Sequence, residues 1–173
     1  MRRILVIGLP GAGKSTLSVE LGERLGLPVY HLDKLFWQPG WVMTPHDEWD
    51  RTVSDLVTGE RWIIDGSFDR NLAIRLARAD TVIFLDFPTP LCLYRAIRRV
   101  LGSYGRQRPD MGDGCAERWD WEFMKFIWHY RRDRMPRMLR LLEQHRSQIT
   151  LITLRNPSET DRFLDSLARS APG

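Results

Sequence analysis

Two cysteines in 173 residues leave little room for cysteine chemistry. Cys92 and Cys115 form neither a paired spacing nor a CxxC, which excludes a disulfide framework and a zinc ribbon. Lysine is nearly missing too, with Lys14, Lys34 and Lys125 the three among 26 basic residues. No apolar run approaches the ~18 residues needed to span a bilayer, and the initial "ILVIG" is short and lacks a small-residue cleavage site. A soluble, cytoplasmic chain with no membrane partner is expected. There is no internal repeat and no low-complexity linker. With 43% hydrophobic residues, the length suits one complete core, so one domain over 1–173 is expected.

What the chain has instead is arginine, unevenly placed. Between Arg95 and Arg146 twelve Arg and one Lys face seven Asp or Glu, a local balance of +6 that leaves −2 for the remainder. Arginine suits bidentate grip on phosphate. The segment therefore reads as a clamp on a nucleotide, as a nucleic-acid face, or as a solvated helix face with interspersed acids.

Along the chain, apolar runs alternate with helical periodicity. "RILVI" is a buried strand. Leu17, Leu21 and Leu25 recur every four residues up to Gly26, which predicts a helix and its end. "PVYHL" is a second strand, followed by an aromatic loop. Thr44-Pro45-His46-Asp47 predicts a helix start with Thr44 as cap, and Trp49, Val53, Leu56 and Val57 supply its apolar face. "RWIID" and "DTVIFLDF" are the third and fourth strands, with a short helix between them. "LCLYRAIRRVLG" is helical, whereas "SYGRQRPDMGDGC" loses periodicity and reads as a mobile lid over about 103–117. A long helical stretch from about Glu117 to His145 is expected to divide near Pro136. "QITLITL" is a fifth strand, and Ser158-Glu159-Thr160-Asp161 predicts the cap of a last helix. Such alternation predicts an α/β fold of five parallel strands.

Gly8-Leu9-Pro10-Gly11-Ala12-Gly13-Lys14-Ser15 satisfies GxxxxGK[ST] between a predicted strand and a predicted helix, the context that identifies a P-loop. The backbone at Gly8, Gly11, Ala12 and Gly13 turns N–H groups toward phosphate oxygens, and the helix N-terminus beyond Ser15 and Thr16 adds its dipole. Lys14 is expected to reach the β and γ phosphates of ATP, and Ser15 to ligate Mg²⁺. Asp65, at the end of "RWIID", is the acidic residue expected beside that metal.

These residues resemble the adenylate kinase-like P-loop kinases. "WIIDGSFDR" is similar to the family's Asp-Gly-Phe-Pro-Arg stretch, with one extra residue before Arg70. "FLDFPTPLCLYRAIRR" resembles its strand, Pro and arginine helix leading into the lid. "NPSE" resembles its loop bordering the adenine. More narrowly, "HLDKLFWQPGW", the lid's "RPD" and "RNPSETDRFL" look like the bacterial group labelled DNA topology modulation, or FlaR-related, a label that names no biochemical activity. The resemblance implies a P-loop NTPase fold with helices on both faces of the sheet and a closing lid. It implies nucleotide contacts from Arg95, Arg99 and Asn156, and an acceptor site that includes Gly66 and Arg70. Arg106, Arg108, Arg131 and Arg134 are further lid and helix candidates, with Arg95, Arg99 and Arg131 read as catalytic.

One departure matters. The family offers an acceptor-loop arginine for the phosphate of AMP, and this chain has no Arg between Arg24 and Arg51. Lys34 substitutes only as a point charge. Asp33 suits the opposite role, taking the proton of an attacking hydroxyl. Phe36, Trp37 and Trp41 suit stacking on a ring, or equally packing against the neighbouring helix at Trp49. His31 reads as a core residue, and His46, His129 and His145 have no metal-ligand spacing. The expected function is ATP- and Mg²⁺-dependent phosphoryl transfer to a small molecule, either a nucleotide or a hydroxyl metabolite. The alternative is a nucleic-acid-associated ATPase or regulator using the basic segment, for which no recognition helix, binding sheet or zinc motif is legible.

Overall fold

Side chains alternate between the two faces of a strand, so a strand buried at every position needs cover on both sides. Three apolar runs meet that condition: β1 (Arg3–Gly8) from its second residue onward, β5 (Trp62–Asp65) and β6 (Thr81–Leu85) throughout. With β2 (Val29–His31) and β7 (Thr150–Leu154) they form a five-stranded sheet, ordered β2-β5-β1-β6-β7. Every pairing is parallel. The computed structural model describes residues 1–170.

The connections are α1 (Lys14–Leu25), α2 (Leu32–Phe36), α3 (His46–Leu56), α4 (Leu72–Leu76), α5 (Thr89–Ser103), α6 (Trp121–Asp133), α7 (Met135–Gln144) and α8 (Pro157–Ser170). α1 meets α8, while α3, α4, α7, α6 and α5 form a succession of neighbours. This is the P-loop NTPase fold, a five-stranded parallel sheet, expected from the sequence. Trp49 and Trp62 are 1% and 0% exposed and anchor the core, where truncating such a side chain to Ala typically costs about 3–5 kcal/mol. Among the described residues, no helix is long and apolar enough to cross a membrane.

The connection leaving β1 runs toward the β2 edge and the one leaving its neighbour β6 runs toward the β7 edge, and ligands of open α/β sheets bind at such a switch point, beyond the carboxyl ends of the strands. Gly8 ends β1, His31 ends β2 and Asp65 ends β5, so three strands deliver chemistry to one edge.

Several local expectations change. The aromatic loop is helix α2 followed by a small antiparallel hairpin, β3 (Trp37–Gln38) and β4 (Val42–Met43). Leu32 and Phe36, four apart, bury one side of α2 and carry its turn. Thr44 does not cap α3. Its hydroxyl donates to the carbonyl of Phe36 at 2.7 Å and ties the hairpin down, and α3 begins after Pro45. The long helix begins at Trp121, not Glu117, with Asp120 accepting from the N–H of Phe123 at 3.0 Å, and it divides at Arg134. The last helix is capped two residues before Ser158: Asn156 accepts from the N–H of Glu159 at 3.0 Å, and Glu159 accepts from the N–H of Arg155 at 2.7 Å.

The segment expected to be a mobile lid is a strap with its own ladder. Gln107 bridges Ala116 in antiparallel fashion, and the backbones of Gly105, Arg106 and Glu117 exchange bonds of 2.8 and 2.9 Å. The strap docks on the β3–β4 hairpin. Gly40 N–H donates to Gly114 O at 3.2 Å, and the Trp41 indole donates to Ala116 O at 3.0 Å. Gly112 lies so close to the carbonyl of Trp37 that any Cβ there would collide with it.

Candidate active site

A cleft of about 830 Å³ opens over the carboxyl ends of β1, β2 and β5. Its floor is the P-loop. Gly11 adopts φ 84°, in the left-handed region, and a Cβ there would strike the carbonyl of Cys92, so α5 fixes the loop's path through backbone alone. Ser67 holds the other side: Gly8 N–H donates to Ser67 Oγ at 3.0 Å, and the same hydroxyl donates to Gly8 O at 2.7 Å.

Lys14 Nζ donates to the carbonyls of Gly8 and Leu9 at 3.1 and 3.0 Å, so the ammonium lies along the loop. Burial lowers its pKa, and the carboxylates of Asp33 and Asp65 partly restore it. Asp33, half-buried in the first turn of α2, lines the cleft across from the loop. Burial raises its pKa, with Lys14 as the main opposing charge.

Asp65 is 3% exposed. One of its oxygens, Oδ2, lies 2.9 Å from Nδ1 of His31. The parallel register sets these two residues side by side, and their hydrogen bond raises the His31 pKa despite burial. His31 was expected to be plain core. Its partner is 34 residues away, and only the strand register brings them together.

Arg95 and Arg99, four apart on α5, both line the cleft. Arg95 reaches the carbonyl of Ala12 at 3.4 Å and lies over the Phe87 ring. Arg99 meets Glu117, whose carboxylate also lies 2.8 Å from Arg108 Nε. Glu117 is only 6% exposed. Sequence reading missed it because an acid inside an arginine-rich run looks like part of a solvated face.

Of the residues singled out from sequence, Gly11, Ala12, Gly13, Lys14, Ser15, Thr16, Asp33, Trp37, Asp65, Arg95 and Arg99 meet at this cleft. Others stand apart from its lining. Arg70 is turned outward to Asp50, at 2.8 Å from Oδ2. Lys34, next to Asp33 in sequence, is exposed and lies outside the cleft. Arg131 pairs with Asp86 and donates to the carbonyl of Phe87, and Arg134 pairs with Asp69. Gly8 lends its carbonyl to Lys14, Gly66 lends its own to the buried Arg75 at 2.9 Å, and Asn156 is occupied as the α8 cap. Phe36 packs into the core against Trp49 and Phe68 at 5.1 and 4.9 Å, which leaves Trp37 and Trp41 as the aromatic lining of the hairpin side.

The family model described as "AAA domain" matches residues 4–108, more than half of the chain. The chain belongs to the AAA domain family. Among curated proteins, none matches this AAA-domain chain. Three solved structures share its fold. A gluconokinase from Sinorhizobium meliloti 1021 is 15% identical, with TM-score 0.51, over 99% of this chain and 98% of its own. A shikimate kinase from Acinetobacter baumannii, in complex with shikimate, is 17% identical, with TM-score 0.61, over 98% and 92%. A shikimate kinase from Bacteroides thetaiotaomicron is 18% identical, with TM-score 0.50, over 97% and 96%. All three are small-molecule kinases by name, and at these identities the likeness is one of fold.

Among the side chains lining the cleft, Ser15 and Asp65 could hold a metal ion. No group of three or more His, Cys, Asp or Glu forms a metal cage among the described residues. A hydroxyl and a carboxylate are oxygen donors of the kind that hold Mg²⁺ together with phosphate oxygens.

Proposed function

We propose that this chain is an ATP- and Mg²⁺-dependent P-loop kinase that transfers the γ-phosphoryl group to a hydroxyl of a small molecule. The observation that carries the reading is Asp33: a carboxylate with a raised pKa, on the cleft wall facing the phosphate-binding loop and its lysine. The P-loop backbone and Lys14 hold the β and γ phosphates, with Lys14 exchanging the carbonyls of Gly8 and Leu9 for phosphate oxygens. Ser15 and Asp65 hold the metal, which neutralises phosphate charge when bound. Arg95 and Arg99 add cations from α5. Pro157, Thr160 and Leu164 line the cleft where the resemblance expects the adenine. The acceptor oxygen attacks the γ-phosphorus, its proton passes to Asp33, and the bond to the β–γ bridging oxygen breaks. Within the family, the "HLDKLFWQPGW" stretch supports placing the chain with the FlaR-related group.

About half of the basic segment's arginines are already engaged, which weakens a nucleic-acid role. Of the segment's arginines, Arg99, Arg108, Arg131, Arg132 and Arg134 are ion-paired within the chain, and Arg95 faces the cleft. Calorimetric titration with ATP and Mg²⁺ tests the nucleotide half of the reading. Saturable binding that Lys14→Ala weakens by about 100-fold or more is expected, because the variant loses a charge-assisted contact in a dry site. Equal binding by the two proteins would end the P-loop assignment.

A further inference from the structure

The acceptor's identity is the open part of that reading, and the lining of the cleft narrows it. We infer that the acceptor is a ring-bearing alcohol without an acidic group, an inference that rests on the kinase assignment above.

The walls come first. Trp37 and Trp41 stand edge to face at 5.6 Å, and both line the cleft. Trp41 is the one non-glycine residue at positive φ among the described residues, at 64°. It is kept there by its indole bond to Ala116 and by Arg118, whose guanidinium lies 5.3 Å from its ring centroid. A strained tryptophan held by contacts on both sides is built to present a surface. Together with Met111 of the strap, the two indoles form an apolar wall suited to the flat face of a ring.

Charge decides the rest. Asp33, Asp110 and Glu117 all line this cleft. Two arginines line this side of the cleft: Arg118, laid against the Trp41 ring, and Arg108, engaged by two of these acids, with Nε 2.8 Å from Glu117 Oε2 and Nη1 3.6 Å from Asp110 Oδ2. Glu117 is shared with Arg99 at 3.4 Å. Arg70, the first arginine after the strand end at Asp65, is committed to Asp50. A phosphate or carboxylate on the acceptor would meet Asp33 and Asp110, and would have to draw Arg108 away from a carboxylate that is 6% exposed. Removing one partner from a buried ion pair leaves the other uncompensated. Hydroxyls and amines meet no such barrier, since each donates to the same carboxylates.

The test gives the wild-type protein γ-labelled ATP with Mg²⁺ and two acceptor pools. One contains nucleosides, hexoses and aminocyclitols, the other nucleoside monophosphates, sugar phosphates and hydroxy acids. Label entering the first pool alone is the expected result. Glu117→Gln should release Arg108 and let label enter the anionic pool at about tenfold the wild-type background, the size of effect expected when a charge is uncovered in a desolvated site. Asp110→Asn, at a more exposed position, should act in the same direction if Glu117→Gln does not fold by circular dichroism. Wild-type label in the anionic pool overturns the inference and leaves the kinase reading intact. So do folded variants that leave the anionic pool at the wild-type background. Label found only as free phosphate overturns both.

Discussion

Arg70 and Asp50 form a two-pronged pair, with Nε and Nη2 of the arginine 2.9 and 2.8 Å from the two carboxylate oxygens. Asn71 donates to the same carboxylate. The guanidinium that the family resemblance assigns to the acceptor is thereby turned to the outside. Arg70→Ala is expected to leave kcat/KM for transfer within about threefold of wild type, because an exposed pair contributes little and touches no reacting group. A large loss confined to KM would return Arg70 to the acceptor site.

Asp33 links activity to stability with opposite signs. Burial raises its pKa above the ordinary 3.8, so the folded protein holds this proton more tightly than the unfolded chain does. Ionised Asp33 therefore costs stability above its folded pKa, and the cost disappears as pH falls below 3.8. Asp33→Asn is expected to raise Tm at pH 7 and leave it unchanged at low pH, while transfer falls by about 100-fold or more with loss of the base. In the wild type, kcat should fall as pH drops through the raised pKa. Thermal unfolding and a pH–rate profile on both proteins check this.

Gly112 sets the fit between strap and hairpin. A methyl group at that position has no room beside the Trp37 carbonyl, and overpacking of this kind costs about 1–3 kcal/mol. Gly112→Ala is expected to raise the acceptor KM by about tenfold, as the strap shifts off the hairpin, and to leave ATP affinity unchanged. Steady-state kinetics with each substrate varied separate the two effects.

Ser67 reaches the P-loop from the β5 side through two hydrogen bonds to Gly8. Ser67→Ala leaves the Gly8 N–H and C=O without that partner, and a hydrogen bond contributes about 0.5–1.5 kcal/mol net. ATP affinity should weaken by about three- to tenfold in calorimetry, with the thermal transition otherwise retained.

Much of this site was legible before any coordinates because local signals carried it. The P-loop is a contiguous motif flanked by a strand and a helix, and Asp33 lies at a strand end where polar groups have few structural roles. Arg95 and Arg99 came from the family resemblance, and their i,i+4 spacing put both on one helix face. What escaped depends on distance along the chain. His31 and Asp65 meet through strand register, and no pattern near His31 announces it. Glu117 joins Arg99 and Arg108 through a bridge between Gln107 and Ala116 that lacks alternating hydrophobicity. The hairpin after α2 was hidden because each of its strands is two residues long. The cap at Asn156 had its signal in Pro157 at the first helical position, where the Ser158-based reading looked two residues too late.

The central claim is phosphoryl transfer to a hydroxyl with Asp33 as base. Its most direct measurement is single-turnover transfer from γ-labelled ATP to a hydroxyl acceptor that wild type phosphorylates, run on wild type, Lys14→Ala and Asp33→Asn. Product label in wild type, lost in Lys14→Ala and slowed by about 100-fold in Asp33→Asn with ATP binding retained, is the predicted result. Equal rates in wild type and Asp33→Asn would contradict the assignment of the base, and label released only as phosphate would contradict transfer itself.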